Sequence, residues 1–434
     1  MRMPRLIGMM ALCAAAAAAI ATPQKQQVAS AAEVTYTPGT PWVGQVGITE
    51  TVAEIMARDA AQTPEQRAEA ERPLIRPRLM PPVAPDDATG AIDVSGGATN
   101  PPAPYLPQAV ALSVLGSQTS ESAGFPPDSM GAIGPTQFFV TVNGRFKTLN
   151  KTTGAPDGAV NTTPNVFFNS VRNGSSMSDP RVRFDRLSNR WFVVMINVST
   201  PNRVCIAVSS GPTISNTASF TFYFFQQDLV STVGDVGALL DYPSLGVDNN
   251  ALYIAGNMFA GGSSFTGVSA FVVRKTSVTG AGPIVVTAFR SIGNIRTAMG
   301  VDNDNPTATE GYFIGTSAAG GSQLIVKRIT NPGGTPAISS DLVVSVPATA
   351  NPQSVPVLGG TANLDALDTR LYNAKLFLNS ITGVRTLWTS HSIRSDRIEH
   401  HRIGELGRHL AHDVDALGFQ APQMRYNSFI TGQF

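Results

Sequence analysis

The chain has 434 residues, 42% of them hydrophobic, and its 31 basic and 30 acidic side chains leave a formal charge of +1. Such a balance excludes nucleic acid and anionic membranes as expected partners. Only two cysteines, Cys13 and Cys205, are present, so the fold has to rest on buried apolar surface rather than on a disulfide framework.

Residues 1–31 read as a secretory signal peptide. Arg2 and Arg5 precede an apolar run from Leu6 to Ala21, and Ala29-Ser30-Ala31 offers a small-residue cleavage site. The run is too short and too alanine-rich to span a bilayer, and the bulky Leu12 before Cys13 speaks against a lipid anchor. Cleavage removes Arg2, Arg5 and Lys25 and no acidic residue, leaving 28 basic against 30 acidic side chains. The expectation is a secreted, periplasmic or cell-surface protein with no stable membrane insertion.

Residues 32–106 are rich in proline and alanine, as in Pro73-Leu74-Ile75-Arg76-Pro77 and Pro101-Pro102-Ala103-Pro104. They predict an extended, mobile leader or linker, with one short helix over Glu50 to Ala70 interrupted at Pro64. Between residues 107 and 393 the texture changes to short β-branched and aromatic runs separated by Gly, Asn, Asp and Pro clusters. That is the mark of many short antiparallel strands joined by tight turns.

Within this region a phrase recurs. Asp179-Pro180-Arg181-Val182-Arg183-Phe184-Asp185 runs into Arg190-Trp191-Phe192-Val193-Val194, and Asp241-Tyr242-Pro243-Ser244-Leu245-Gly246-Val247-Asp248 runs into Leu252-Tyr253-Ile254-Ala255. Looser copies begin near Asp128, Asp302 and Asp365. Each interval suits one four-stranded propeller blade with a longer loop, and blades bury their faces only against neighbouring blades, so the pattern has to repeat. A two-sheet sandwich is the competing reading, but it has no reason to repeat a phrase at near-constant spacing. The fold class is therefore all-β, a propeller-like array of about five visible repeats. Asp128, Asp179, Asp241, Asp302 and Asp365 are expected to cap turns by accepting backbone N–H bonds two or three residues on. Trp191, Tyr253, Phe313 and Trp388 are expected to fill the wedges between blades. Cys205, in an apolar strand pattern without a nearby histidine, is expected to be a buried, inert thiol.

The stretch from Phe125-Pro126-Pro127-Asp128-Ser129-Met130-Gly131 to Phe138-Phe139-Val140-Thr141-Val142-Asn143, followed by Asp179-Pro180 with Arg190-Trp191 and by Asp241-Tyr242-Pro243, resembles a family of exported bacterial propellers, mostly uncharacterised and loosely labelled sialidase-like. The resemblance covers about residues 106–392 and implies fold and secretion but no activity, so no catalytic or ligand-binding residue is carried over. Sialidase chemistry needs an arginine cluster, for which Arg181, Arg183, Arg190 and Arg203 are candidates, and a tyrosine such as Tyr242 or Tyr253 paired with a glutamate. Glu310 is the only glutamate from residue 122 to 393, and the Ser-x-Asp-x-Gly-x-x-Trp box of sialidases is absent.

No cofactor is expected. A calcium site at Asp302, Asn303, Asp304 and Glu310 is a minor alternative, because the loop lacks the glycine and the twelfth-position glutamate of an EF-hand. Gly261-Gly262 and Gly320-Gly321 read as turns rather than phosphate loops. Residues 394–434 form an atypical His- and Arg-rich tail, read as a helix or as a frame-shifted segment. Ile403, Leu406, Leu410, Val414 and Leu417 share helical spacing, with His401, Glu405, His409 and His412 opposite, a face more often solvated than metal-binding. If the tail is foreign, Ala109 to Leu115 is left as the strand that would close the ring. The functional expectation is a binding or interaction module for an extracellular glycan or a peptide. A sialidase-like glycoside hydrolase and a structural cell-envelope protein are the alternatives.

Overall fold

The structure is a computed structural model that describes residues 33–70, 74–75, 79–82, 110–122, 124–280, 282–346, 348–356, 363–378, 383, 385–394 and 409–413. The strands fall along the chain into five antiparallel blades of a propeller, the last two continuous in one sheet. Blade 1 comprises Met130–Ile133, Gln137–Val142, Arg145–Asn150 and Pro156–Thr162. Blade 2 comprises Met177–Asp185, Arg190–Asn197, Arg203–Ser209 and Ser219–Gln226. Blade 3 begins with Leu239–Asp241 and Gly246–Val247 and continues through Ala251–Ala260, Ser264–Arg274 and Pro283–Phe289. Blade 4 runs from Ile295–Asn303 through Glu310–Ser317 and Gln323–Thr330 to Ala337–Ser339 and Leu342–Ser345. Blade 5 contains Leu371–Leu378, Arg385–Ser392 and His409–Asp413.

The second strands of blades 2 and 3 are buried almost throughout because both of their faces are covered. In blade 2, Trp191, Val193 and Met195 pack with Phe139 and Phe146 of blade 1, while Phe192, Val194 and Ile196 pack with Leu252 and Ile254 of blade 3. The period-2 geometry of a strand thus sends alternate residues into two different inter-blade cores. Tyr253 and Phe313 meet in the core between blades 3 and 4, edge to face at 5.8 Å. Trp388 departs from expectation. It is only partly buried, and its neighbour Leu387 enters the core between blades 4 and 5 instead. The innermost strand of blade 4 approaches blade 3 so closely that a Cβ on Gly300 would lie 2.1 Å from the carbonyl oxygen of Tyr253, on the second strand of blade 3, and 2.6 Å from the Gly246 nitrogen on its inner strand.

The leader predicted for residues 32–106 is, over residues 36–60, part of the fold. Tyr36–Pro38 pairs with the outer strand of blade 4, Trp42–Val46 with that of blade 3, and Ile48–Thr51 with that of blade 2. The chain therefore runs backwards around the ring as a belt, supplying an outer antiparallel strand to three blades and covering edges that would otherwise be open. It ends in the helix Val52–Ala60, whose start is fixed by a capping box between Thr51 and Glu54. Val52 and Ile55 of this helix are fully buried in the core shared by blades 1 and 2. Pro64 interrupts the helix as expected and opens a second one, Pro64–Ala70.

Blades 4 and 5 are joined by parallel pairing of their innermost strands, Val301 opposite Ala374. Among the described residues no strand links blade 5 to blade 1, and residues 110–115, expected to close the ring, form none. The helix predicted for the tail is contradicted at His409–Asp413, which pairs as a strand with Arg385–Ser392. The rest of that prediction, including Ile403, Leu406, His401 and Glu405, lies outside the described residues, as does the signal sequence. No helix of the described residues is long and apolar enough to cross a membrane.

Candidate functional site

At the mouth where the innermost strands begin, each blade turns its chain through a residue in the left-handed region. These are Asp128 (φ 42°), Asp179 (61°), Tyr242 (54°), Thr297 (43°) and Leu367 (61°). Aspartate tolerates this conformation better than most residues, whereas tyrosine, threonine and leucine adopt it rarely. The turns bring polar side chains of blades 1, 2, 3 and 5 together around the axis.

Asn143, on the hairpin turn after Gln137–Val142, organises the first part. Its Nδ2 donates to Asp128 Oδ2 at 2.7 Å, and its Oδ1 accepts the Asp179 N–H at 3.0 Å. Asp179 is further held by the Ser178 hydroxyl at 2.6 Å and by the Tyr242 N–H at 2.9 Å, which ties blade 2 to blade 3. Burial pushes the Asp128 carboxyl up to about 7, reinforced by the charge of Asp179 and a hydrogen bond between the two carboxyl groups, and opposed by Asn143 and Arg181. Two carboxyls that share a hydrogen bond cannot both ionise without repulsion, so Asp128 keeps its proton to about neutrality.

Tyr242 supplies the second part. The Arg181 guanidinium of blade 2 lies 4.5 Å from its ring centroid and the Arg370 guanidinium of blade 5 lies 4.6 Å from it, a cation–π arrangement at a largely desolvated position. Arg181 is fixed by a 2.6 Å bond to the Pro243 carbonyl. Arg370 is fixed by a bidentate pair with Asp368 at 2.8 and 2.9 Å. Among the described residues the Tyr242 hydroxyl takes no hydrogen bond, whereas the nearby Tyr372 hydroxyl bonds Ser392 at 2.6 Å. Below the mouth, Arg183 crosses the axial channel from blade 2. It donates to Asp302 of blade 4 at 2.7 Å and to Asn373 of blade 5 at 2.9 Å. Arg183 thereby ties blade 2 to blades 4 and 5.

The repeat aspartates divide by position. Asp128, Asp179 and Asp241 lie at the mouth, and Asp365 lies just ahead of blade 5, where it accepts the Leu367 N–H at 2.9 Å. Asp302 does not belong with them, since it stands at the other end of its strand. The turn-capping role expected of the repeat falls mainly to Asp185, Asp248 and Asn303, each accepting a backbone N–H two residues on. Asp185 also forms a buried 2.6 Å pair with Lys275, fastening blade 2 to blade 3.

The sialidase-like set is not assembled. Arg181 is at the mouth and Arg183 is in the channel. Arg190 bonds the Ser209 carbonyl, and Arg203 lies over the Phe224 ring. Glu310 accepts from the Tyr312 hydroxyl and pairs with Arg328 on the strands of blade 4, and the Tyr253 hydroxyl is spent on Asp248. The calcium candidates likewise face different partners: Asp302 faces Arg183, Asn303 accepts the Asn305 N–H, Asp304 pairs with Lys375, and Glu310 faces Tyr312. Among the described residues no group of three His, Cys, Asp or Glu side chains is placed to hold a metal. The Cys205 thiol is buried and pushed up to about 12 by that burial, as an inert thiol should be.

No family model matches the chain, and no curated protein matches it. Among solved structures it is similar to an endo-1,5-α-L-arabinanase of Thermotoga petrophila, at 11% identity over 66% of this chain and 71% of that one, with a TM-score of 0.34. It is also similar to the catalytic domain of a Coprinopsis cinerea α-L-arabinofuranosidase, at 11% identity over 65% and 86%, with a TM-score of 0.33. A Bacillus subtilis arabinanase aligns at 12% identity over 68% and 96%, with a TM-score of 0.30. Likeness this distant carries no chemistry from those enzymes to this chain, and the propeller assignment rests on the strand pairing itself.

The sequence signalled Asp128, Asp179 and Asp241 through the repeated phrase. It gave no signal for Arg370 or for the role of Asn143. Arg370 meets Tyr242 and Asn143 meets Asp179 only because the fold brings those neighbours in from other blades.

Proposed function

We propose that this protein is an exported binding module whose ligand is a glycan docked at the mouth of the ring. The observation that carries the reading is Tyr242, held between two guanidinium groups with its hydroxyl free, beside a carboxyl pair that can both donate and accept. A mixed set of fixed donors and acceptors suits the hydroxyl groups of a sugar, each of which is itself donor and acceptor. Calorimetric titration of the full chain with soluble plant and bacterial oligosaccharides tests it. A binding oligosaccharide should lose about tenfold in affinity on Tyr242→Phe, the loss of one net hydrogen bond of about 1.4 kcal/mol. Absence of binding, or equal affinity of the variant, refutes the reading. Export is tested by N-terminal sequencing of the extracellular protein, with cleavage expected after Ala31.

One observation favours a second reading, hydrolysis of that glycan. A carboxyl such as Asp128 that keeps its proton to about pH 7 meets the requirement for a general acid. Release of reducing ends that Asp128→Asn abolishes while binding persists identifies a hydrolase; binding without release identifies the module.

A further inference from the structure

Beside this site, on the same mouth, a cleft between blades 4 and 5 is already occupied by the chain itself. Its walls are formed by Arg296, Thr297 and Thr316 of blade 4 and by Asp368, Thr369 and Arg370 at the entry to blade 5. Met80, Pro81 and Pro82 lie in it. Pro81 is buried, Met80 is half-buried, and Pro82 is exposed. The Arg296 guanidinium donates to the Pro82 carbonyl, and Arg370 Nη2 meets the Met80 sulfur at 3.0 Å. The space left over is about 10 Å³, room for about one water.

The fit has a chemical logic. Consecutive prolines fix an extended backbone and remove its N–H donors, leaving carbonyl oxygens as the only strong hydrogen-bonding groups. The two arginines of the cleft answer with donors alone. Arg296 Nε is buried and makes no hydrogen bond among the described residues, so the cleft has donor capacity beyond what Pro82 uses. A proline-containing peptide brings carbonyl acceptors for these guanidinium groups and an apolar ring for the buried position.

We propose that the cleft between blades 4 and 5 is a polypeptide-binding groove for extended segments in which an apolar residue precedes two prolines, and that Met80-Pro81-Pro82 fills it in cis. The groove shares Arg370 with the glycan site but does not depend on the glycan reading, because its ligand is a peptide met by Arg296 of blade 4. A segment tethered to its own receptor competes at about millimolar effective concentration, so a groove with an intrinsic Kd of about 100 µM binds a free peptide about tenfold more weakly while the tether is in place.

The test uses a fluorescein-labelled peptide of residues 76–85, titrated onto the full chain by fluorescence anisotropy. The triple variant Met80→Ser, Pro81→Ser, Pro82→Ser empties the groove and should bind the peptide about tenfold more tightly than the unmodified chain. Adding Arg296→Ala to the triple variant should reverse that gain by about tenfold, and a peptide with Pro81 and Pro82 replaced by serine should not bind. Equal affinity of the unmodified chain and the triple variant overturns the proposal, as does binding indifferent to Arg296→Ala. Met80→Ser alone, with a smaller gain of the same sign, serves if the triple variant does not fold.

Discussion

The belt formed by residues 36–60 makes a prediction that a mobile leader would not. Ile55 is fully buried against the aromatic core of blades 1 and 2. Ile55→Ala removes three carbon atoms from that core, a transfer loss of about 2.5 kcal/mol at ~0.8 kcal/mol per carbon. The unfilled space adds to it, giving about 3–4 kcal/mol in all. Thr51→Ala removes the side-chain oxygen that accepts the Glu54 N–H at 3.1 Å and should cost about 1 kcal/mol. Val43, on the belt but 61% exposed, is the control, and Val43→Ala should stay within about 0.5 kcal/mol of the parent. Urea unfolding followed by tryptophan fluorescence reads all three, because Trp191 is buried in the same core as Ile55. An Ile55→Ala variant as stable as Val43→Ala would refute the reasoning and restore the segment to the status of a spacer.

Two further outcomes follow from the geometry. The folded Asp128 carboxyl keeps its proton to about pH 7, against 3.8 for the ordinary group. The native state therefore binds more protons than the unfolded one across that interval, and this contribution to stability is complete below pH 3.8 and lost as pH rises towards 7. Asp128→Asn should flatten that fall, as read from urea midpoints at about pH 4, 5.5 and 7.5; an unchanged slope would place the titrating group elsewhere. Gly300→Ala sets a methyl group against the Tyr253 carbonyl oxygen and the Gly246 nitrogen, at 2.1 and 2.6 Å, with no flexible side chain to yield. Separating the blade 4 strand from blade 3 should cost about 3 kcal/mol or more, and a melting temperature equal to that of the parent would contradict the close approach.

Much of the fold was legible because a propeller repeats its local rules. Runs such as Arg190–Asn197 and Ala251–Ala260 must be apolar on both faces wherever blades stack, and that is visible in sequence. The phase of the repeat was legible for blades 1 to 3, where Asp128, Asp179 and Asp241 mark the mouth. It slipped at blade 4 because Gly300-Val301-Asp302-Asn303 repeats Gly246-Val247-Asp248-Asn249, a sequence from the far end of a strand rather than from its start. The belt was illegible for a different reason. Its strands are three to five residues long, interrupted by Gly39, Gly44 and Gly47, and their partners lie some 170 to 300 residues further on. Local pattern carries no record of such pairing. The same holds for Arg370, whose role exists only where blade 5 faces Tyr242 across the axis.

The two ends of the ring also differ in how their backbones are satisfied. At the far end, Asp185, Asp248 and Asn303 cap the turns through their own side chains, and the left-handed position after Asp185 is taken by Asn189, a residue type suited to it. At the mouth, the left-handed positions of blades 3, 4 and 5 are held by Tyr242, Thr297 and Leu367, each at a cost of about 1–3 kcal/mol that glycine or asparagine would avoid. Packing efficiency alone would have put the strained residues at neither end. Their side chains account for the placement: the Tyr242 ring lies between Arg181 and Arg370, Thr297 lines the cleft that holds Pro81, and Leu367 leads into the Asp368–Arg370 pair that both features share. Strain of this kind persists only where the surrounding contacts over-determine it, and here it is concentrated at the end of the ring where exposed and buried polar groups meet.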